Sequence, residues 1–406
     1  MNPTSPLDHL QVVECATFVA GPSCGLGLAQ LGADVVRVDL PGGGSDHLRW
    51  PLAPSGASLY WANLNKGKRS VTLDYRTPRG RELLLALATR PGPGAGIFVD
   101  NLVGRHRVRH TDLTALRPDA ISLHVLGFPD GRPAVDYTVN AAVGVPGMTG
   151  PSAVEPVNHV LPAWDLLTGS TAAVGLLAAV TQRDRTGEGA QIDLALSDIA
   201  LSAVGALGWL SEAESAGPRP AIGNHVFGSF GTDFASADGH RVMVVALTEG
   251  QWRALCEVTS TGPVFEALEQ ALGVDLREES ARYELRETIA SILRPWFSAR
   301  TLAVLEADLD RARVLWGPYR SMAEAAASAR TTSELAEEVQ QPGVGAMLAT
   351  GSALRWSESV VAPEPAPSLG ADTEHVLGER LGLTSAEIGR LVADGVVSVD
   401  ATRGAA

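Results

Sequence analysis

Cysteine, aromatic residues and basic stretches are all scarce in this chain. The 406 residues hold three cysteines, Cys15, Cys24 and Cys256, scattered and without a CxxC pair. That excludes a disulfide framework and leaves no zinc signature, so no bound metal is expected. Net charge is −14 and no basic tail or stripe is present, which argues against a nucleic-acid partner. The opening MNPTSPLDHLQ has no basic stretch followed by an apolar one, so it does not read as a signal peptide. No uninterrupted apolar run reaches membrane-spanning length. The most apolar, Leu166 to Val180, is broken by Thr168, Gly169, Ser170 and Thr171. These absences together predict a soluble, cytoplasmic protein with no membrane partner.

Hydrophobic residues make up 45% of the chain and aromatics only 5%, a balance that suits α/β architecture with closely packed helices. The length suffices for two domains. The chain opens as a strand (10–14), a helix (23–31) stopped by Gly32, and a second strand (34–39), a βαβ unit that predicts a parallel sheet. Strands at 70–73, 96–100, 120–126 and 191–196 continue it, with helices at 78–89, 165–183 and from 197 onward. The fold expected is a Rossmann-like large domain over 1–210, then a Pro- and Gly-rich linker over 211–224. A smaller α+β domain follows over 225–317, with a hairpin turning at Asp238-Gly239, and 318–406 returns to complete the large domain.

The chemistry centres on one carboxylate. Asp165 follows a Pro and a Trp at the entrance to a run of small and aliphatic residues. A helix N-terminus stabilises a carboxylate, and desolvation makes it a stronger nucleophile. Asp is also an ordinary N-cap, the plainer reading of the same position. The opening βαβ does not carry a dinucleotide fingerprint. Its glycines are Gly21, Gly25 and Gly27, Gln30 stands where the third glycine belongs, and Asp39 comes too early to meet a ribose. These glycines more simply permit close packing of helix on strand. A second feature is NLNKGKRSVTLD, Asn63 to Asp74, where Lys66, Lys68 and Arg69 cluster around Gly67. Such a loop is either a solvated basic surface or a phosphate site, and Arg37 on the second strand is placed to join it.

The segments FVAGPSCGLGLAQLGADVVRVD, NLNKGKRSVTLD, FVDNL, the Asp165 helix and RTGEGAQIDLAL resemble the family III coenzyme A transferases over nearly the whole length. The resemblance implies an interlocked homodimer and an Asp nucleophile that passes through an acyl anhydride to an aspartyl-CoA thioester. It places that nucleophile at Asp165. It places CoA contacts at Phe18, Val19, Arg37, Lys66, Lys68 and Arg69, and more loosely at Arg109. CoA enters as part of the acyl-CoA substrate, so no separate cofactor is implied. VDYTVN, GMTGP, VNHVLPAWD and WGPYR resemble one branch more closely, the branch that moves CoA between the two carboxyl groups of a single mesaconate. By position in those motifs, Tyr137, Asn140, Asn158 and His159 are carboxylate donors, or else satisfied structural hydrogen bonds. Developing oxyanions need N–H donors, and the backbone N–H groups near Val19 to Gly21, at the Pro22 turn, are candidates. The family's racemases carry a proton-moving His where this chain has Val135, so racemisation is not expected. The glycine-run loop of the oxalate-type transferases is replaced by GNHVFGSFG, Gly223 to Gly231. Intermolecular transfer to another short dicarboxylate, and acyl-CoA binding without catalysis, remain the alternatives.

Overall fold

The computed structural model describes residues 5–152, 155–356 and 359–399. The chain packs as two compact units. One comprises Met1–Val143, His159–Ser211 and Ala326–Ala406, and the other Gly144–Asn158 and Glu212–Ala325.

The first unit is built on six parallel strands: β1 (Gln11–Cys15), β2 (Asp34–Asp39), β3 (Arg69–Thr72), β4 (Ile97–Asp100), β5 (Ile121–Leu126) and β6 (Ala190–Ala195). Their order is β3-β2-β1-β4-β5-β6, so the strand order reverses between β1 and β4. Strands covered on both faces are apolar on both, and alternate residues divide between two cores. Val12, Val35, Ile97, Val99, Ile121 and Leu123 face helices α1 (Ala20–Ala29) and α6 (Ala163–Thr186). Val13, Val36, Val38, Val71 and Phe98 face the opposite layer, where Leu83, Leu84 and Leu87 of helix α3 (Pro78–Ala88) meet Val376, Leu377 and Leu391 from the end of the chain. The other helices named below are α2 (Leu59–Leu64), α4 (His110–Thr114), α5 (Asp136–Ala142) and α7 (Leu196–Ala206).

Two glycines permit the close packing. A Cβ at Gly25 would sit 1.8 Å from Glu14 Oε2, and one at Gly169 would sit 1.9 Å from Ser23 Oγ. The first brings α1 down onto β1, and the second brings α6 against α1. Helix α6 is longer than its sequence suggested. Thr168 and Gly169 are buried inside it, and its 24 residues are long and apolar enough to cross a membrane. The polar interruptions therefore do not end the apolar stretch. Its buried stripe, which includes Ala172, Leu176, Ala179 and Val180, belongs to the α1-side core of the sheet, and core helices pass the same length-and-composition test.

The second unit carries an antiparallel sheet of β7 (Phe230–Ala235), β8 (Arg241–Ala246) and β9 (Leu315–Pro318). Phe234 stacks on Phe297 at 4.2 Å between ring centroids in its core. Its helices include two broken pairs. Glu249–Thr259 stops at Ser260, which takes φ +57°, and Gly262–Leu272 starts afresh. Glu279–Glu284 and Arg286–Ser298 are likewise separate. Residues 144–152 and 155–158 belong to this unit, where Gly223 N–H donates to the Gly150 carbonyl at 2.9 Å. A hairpin of β10 (Ala336–Gln341) and β11 (Gly345–Thr350) in the returning segment had no clear sequence signal.

Candidate active site

Asp165 lies in the first turn of α6. The N-cap is Pro162, whose side chain accepts no hydrogen bond, so the first N–H groups of the helix need another acceptor. Asp136, the first residue of α5, supplies it. Its Oδ2 accepts from Trp164 N–H at 2.7 Å and from Asp165 N–H at 3.0 Å, and its Oδ1 lies 2.6 Å from His159 Nε2. Asp136 is 1% exposed. The helix terminus that was expected to stabilise Asp165 is thus taken by a second carboxylate. Burial first, and the Asp136 charge second, push the Asp165 carboxyl up from 3.8 to about 7, against the opposing field of Arg49. The Asp165 carboxylate is therefore desolvated and destabilised as an anion.

Arg49 comes from the loop between β2 and α2. Its guanidinium lies over the ring of Phe18 at 5.4 Å and that of Tyr60 at 5.5 Å. The Tyr60 hydroxyl is pushed up to about 12, chiefly by burial, with Arg49 opposing and Asp165 adding to the shift. It is a neutral donor at working pH. His159 packs between Tyr137 and Trp164, with ring centroids 6.1 and 6.2 Å away. Trp164 Nε1–H donates to Asn140 Oδ1 at 3.0 Å, and Tyr137 O–H donates to the Val160 carbonyl at 3.2 Å.

Phe18 stands at the end of β1, next to the strand-order reversal where ligands bind in open α/β sheets. It adopts φ +67°, a strained value for an aromatic residue, and its N–H donates to Asp46 Oδ2 at 3.0 Å. Asn101, just after β4, clamps the same loop. Its Oδ1 accepts from Thr17 N–H at 3.1 Å, and its Nδ2 donates to the Thr17 carbonyl at 2.9 Å. Val19 follows as the buried N-cap of α1, an end that no side chain caps.

The basic residues are distributed differently from the sequence expectation. Arg37 is 1% exposed and bonded to Asp39 at 2.8 Å, to Asp46 at 3.0 Å and to Asn65 at 3.1 Å. It acts on Phe18 through Asp46 and presents no open donor at the surface. Lys68 is buried on Glu14 at 2.9 Å, the Pro22 carbonyl at 2.8 Å and Asn65 at 3.0 Å. Lys66 donates to the Thr350 carbonyl at 2.6 Å, and burial lowers its ammonium to about 8. Arg69 pairs with Asp34 and Glu379, and the exposed Arg109 with Asp112. A single solvated basic loop is therefore not what folds. Two of the charges are internal struts, because a cation buried in the sheet needs a carboxylate beside it.

The structure thus gathers Phe18, Tyr137 and His159 with Asp165. Asn140 is buried and committed to the Trp164 indole, and Asn158 lies exposed in the second unit. Sequence reasoning missed Asp136, Arg49, Tyr60, Trp164 and Asn101. Asp136 and Trp164 sit inside the motifs VDYTVN and VNHVLPAWD, and Asn101 inside FVDNL. Arg49 and Tyr60 lie in an irregular loop and a short helix that carry no motif. Among the described residues, no group of three or more His, Cys, Asp or Glu side chains is placed to hold a metal ion.

A parallel sheet with a half-buried carboxylate in the first turn of a long helix suits acyl transfer. The chain belongs to CoA-transferase family III, whose model matches residues 7–373. It is 46% identical over 399 residues to the 2-methylfumaryl-CoA isomerase of Chloroflexus aurantiacus, covering 97% of this chain and 98% of that one. It is 30% identical to the succinyl-CoA:mesaconate CoA-transferase of Haloarcula marismortui, covering 88% and 91%. A crystal structure of a CAIB/BAIF family protein from Brucella suis superposes with a TM-score of 0.74 at 25% identity, over 93% of this chain and 99% of that one. The protein is therefore an enzyme of the CoA-transferase and isomerase kind, acting on a CoA thioester.

Proposed function

We propose that this enzyme moves CoA between the two carboxyl groups of one mesaconate, turning 2-methylfumaryl-CoA into 3-methylfumaryl-CoA through Asp165. The observation that carries this reading is the 46% identity over 97% of the chain to an isomerase of that name, together with a half-buried carboxylate at the head of α6.

The Asp165 carboxylate attacks the thioester carbonyl at carbon 1. The C–S bond breaks, CoA leaves as thiolate, and a mesaconyl–aspartyl anhydride forms. The thiolate then attacks the Asp165 carbonyl, which releases mesaconate and leaves aspartyl-CoA. The carbon 4 carboxylate attacks that thioester, and the returning thiolate opens the second anhydride at carbon 4, freeing Asp165. No proton is consumed and no resident cofactor is needed. The uncapped end of α1 beside Phe18 supplies N–H donors for the tetrahedral oxyanions. Tyr137, His159 and the neutral Tyr60 hydroxyl border the pocket, and CoA runs from Phe18 and Val19 along the β1–β4 reversal. Lys66, Arg69 and Arg109 are the basic side chains left to meet its phosphates, with Arg37 and Lys68 shaping the floor beneath. The substrate is a soluble metabolite, and we place the reaction in the cytoplasm.

Leu166, Leu167 and Val174 on α6, with Leu201 on α7, are exposed at 37, 40, 66 and 50%. A face of this kind supports a homodimer, which sedimentation would report as twice the chain mass.

Mass spectrometry of protein quenched during turnover tests the nucleophile. The peptide carrying Asp165 should gain CoA as a thioester, and the Asp165→Ala variant should not. A CoA adduct on another residue would contradict the mechanism. The alternative, transfer to a second short dicarboxylate, is favoured by the 30% identity to a succinyl-CoA:mesaconate transferase. It would reveal itself as turnover that depends on added acid.

A further inference from the structure

Arg49 is the cation whose field reaches Asp165. Among the described residues, no carboxylate lies within ion-pair distance of its guanidinium, whereas Arg37, Arg69 and Arg109 each have one. It is held from below instead, with its guanidinium over the rings of Phe18 and Tyr60. Its backbone is fixed as well. Arg49 N–H donates to the Asp46 carbonyl at 3.1 Å, and Ser58 O–H donates to the Arg49 carbonyl at 2.6 Å. Asp46 also carries Phe18 N–H, so one carboxylate sets the position of both the aromatic platform and the loop bearing the guanidinium. A guanidinium stacked on aromatic faces keeps its in-plane N–H fork available for a carboxylate.

The substrate assigned above brings a free carboxylate at the end opposite its thioester, and its release from Asp165 creates a dianion that must not escape. Resting on that reading, we infer that Arg49 is a specificity-determining residue which grips the non-thioester carboxylate of the substrate and retains the free dicarboxylate between the two half-reactions. The role needs a cation that is not neutralised by the protein, close enough to act on Asp165, and rigid enough to tell a dicarboxylate from a monocarboxylate. Arg49 meets each condition. The same charge lowers the cost of ionising Asp165, so substrate binding and nucleophile activation draw on one guanidinium.

The test compares the wild type with Arg49→Gln and Arg49→Lys. For each, KM and kcat are measured with mesaconyl-CoA, and the inhibition constants of free mesaconate, methacrylate and CoA are determined. A lost charge-assisted pair is worth about 1.5–3 kcal/mol, or roughly 10- to 150-fold. Arg49→Gln should raise KM and the mesaconate inhibition constant by that factor and leave inhibition by CoA and by the monocarboxylate unchanged. Arg49→Lys should recover part of the loss. Isotope-labelled mesaconate added to the medium should enter the product with Arg49→Gln and stay out of it with the wild type. Equal mesaconate inhibition in wild type and Arg49→Gln would overturn the assignment. Failure of the wild type to isomerise mesaconyl-CoA would overturn the functional reading instead, and the inhibition constants would still report on Arg49.

Discussion

Replacing Asp165 by Asn should stabilise the fold in a pH-dependent way while abolishing turnover. In the unfolded chain this carboxyl ionises at its ordinary value of 3.8, and in the folded site at about 7. Between those limits the native state holds a proton that the unfolded state has already lost. Stability therefore falls as pH rises through that window. Three units at about 1.4 kcal/mol each give a cost of ~4 kcal/mol, fully present above about pH 7 and absent below about pH 4. Asparagine keeps the shape and has no proton to lose. Thermal melting of both proteins from about pH 5 to pH 8 reads the difference directly. The Asn variant should melt a little higher at pH 5, and the gap should widen to several degrees by pH 8 and then level off. A gap that is the same at both ends, or an Asn variant that melts lower at pH 8, would refute the claim that the site holds Asp165 as a strained anion. The measurement is independent of substrate, so it tests the electrostatics of the site apart from its chemistry.

Asp136→Asn removes the like charge that helps raise Asp165, so the acid limb of kcat/KM should move to lower pH. At the same time kcat should fall, because His159 and two amides of α6 lose their carboxylate. An acid limb that stays in place in a pH–rate profile would contradict this. Lys68→Met strands Glu14 inside the sheet and should cost about 3–5 kcal/mol in chemical denaturation, and the double change with Glu14→Gln should restore most of it. Gly169→Ala puts a Cβ 1.9 Å from Ser23 Oγ and 2.8 Å from the Ala20 carbonyl, wedging α6 from α1. Denaturation should show a loss of roughly 1–3 kcal/mol, with activity reduced further because both helix ends border the site.

The parallel sheet was legible because its strands are apolar runs set off by turns, and a strand such as Asp34–Asp39 ends where its sequence pattern ends. The hairpin Ala336–Gln341 with Gly345–Thr350 was not, since AEEVQQ alternates weakly and only its partner defines it. In the site, Asp165 stood out because an acid in an apolar run is rare. Its environment did not, because the electrostatics depend on Asp136, 29 residues away, folding back as the helix cap. Arg49 and Tyr60 were invisible for the same reason: an irregular loop and a short helix place them, and only the folded chain shows that the guanidinium covers two rings. The basic loop illustrates the opposite error. Lys66, Lys68 and Arg69 look alike in sequence, yet burial turns Lys68 into a strut for Glu14 and leaves Arg69 at the surface.

The most direct test of the central claim is to incubate the purified protein with mesaconyl-CoA bearing its thioester at carbon 1, with no other acid present, and to separate the two regioisomers by chromatography over time. The account predicts steady formation of the carbon 4 isomer, abolished in Asp165→Ala. Conversion that begins only after succinate or another free acid is added would contradict it and assign the enzyme to intermolecular transfer.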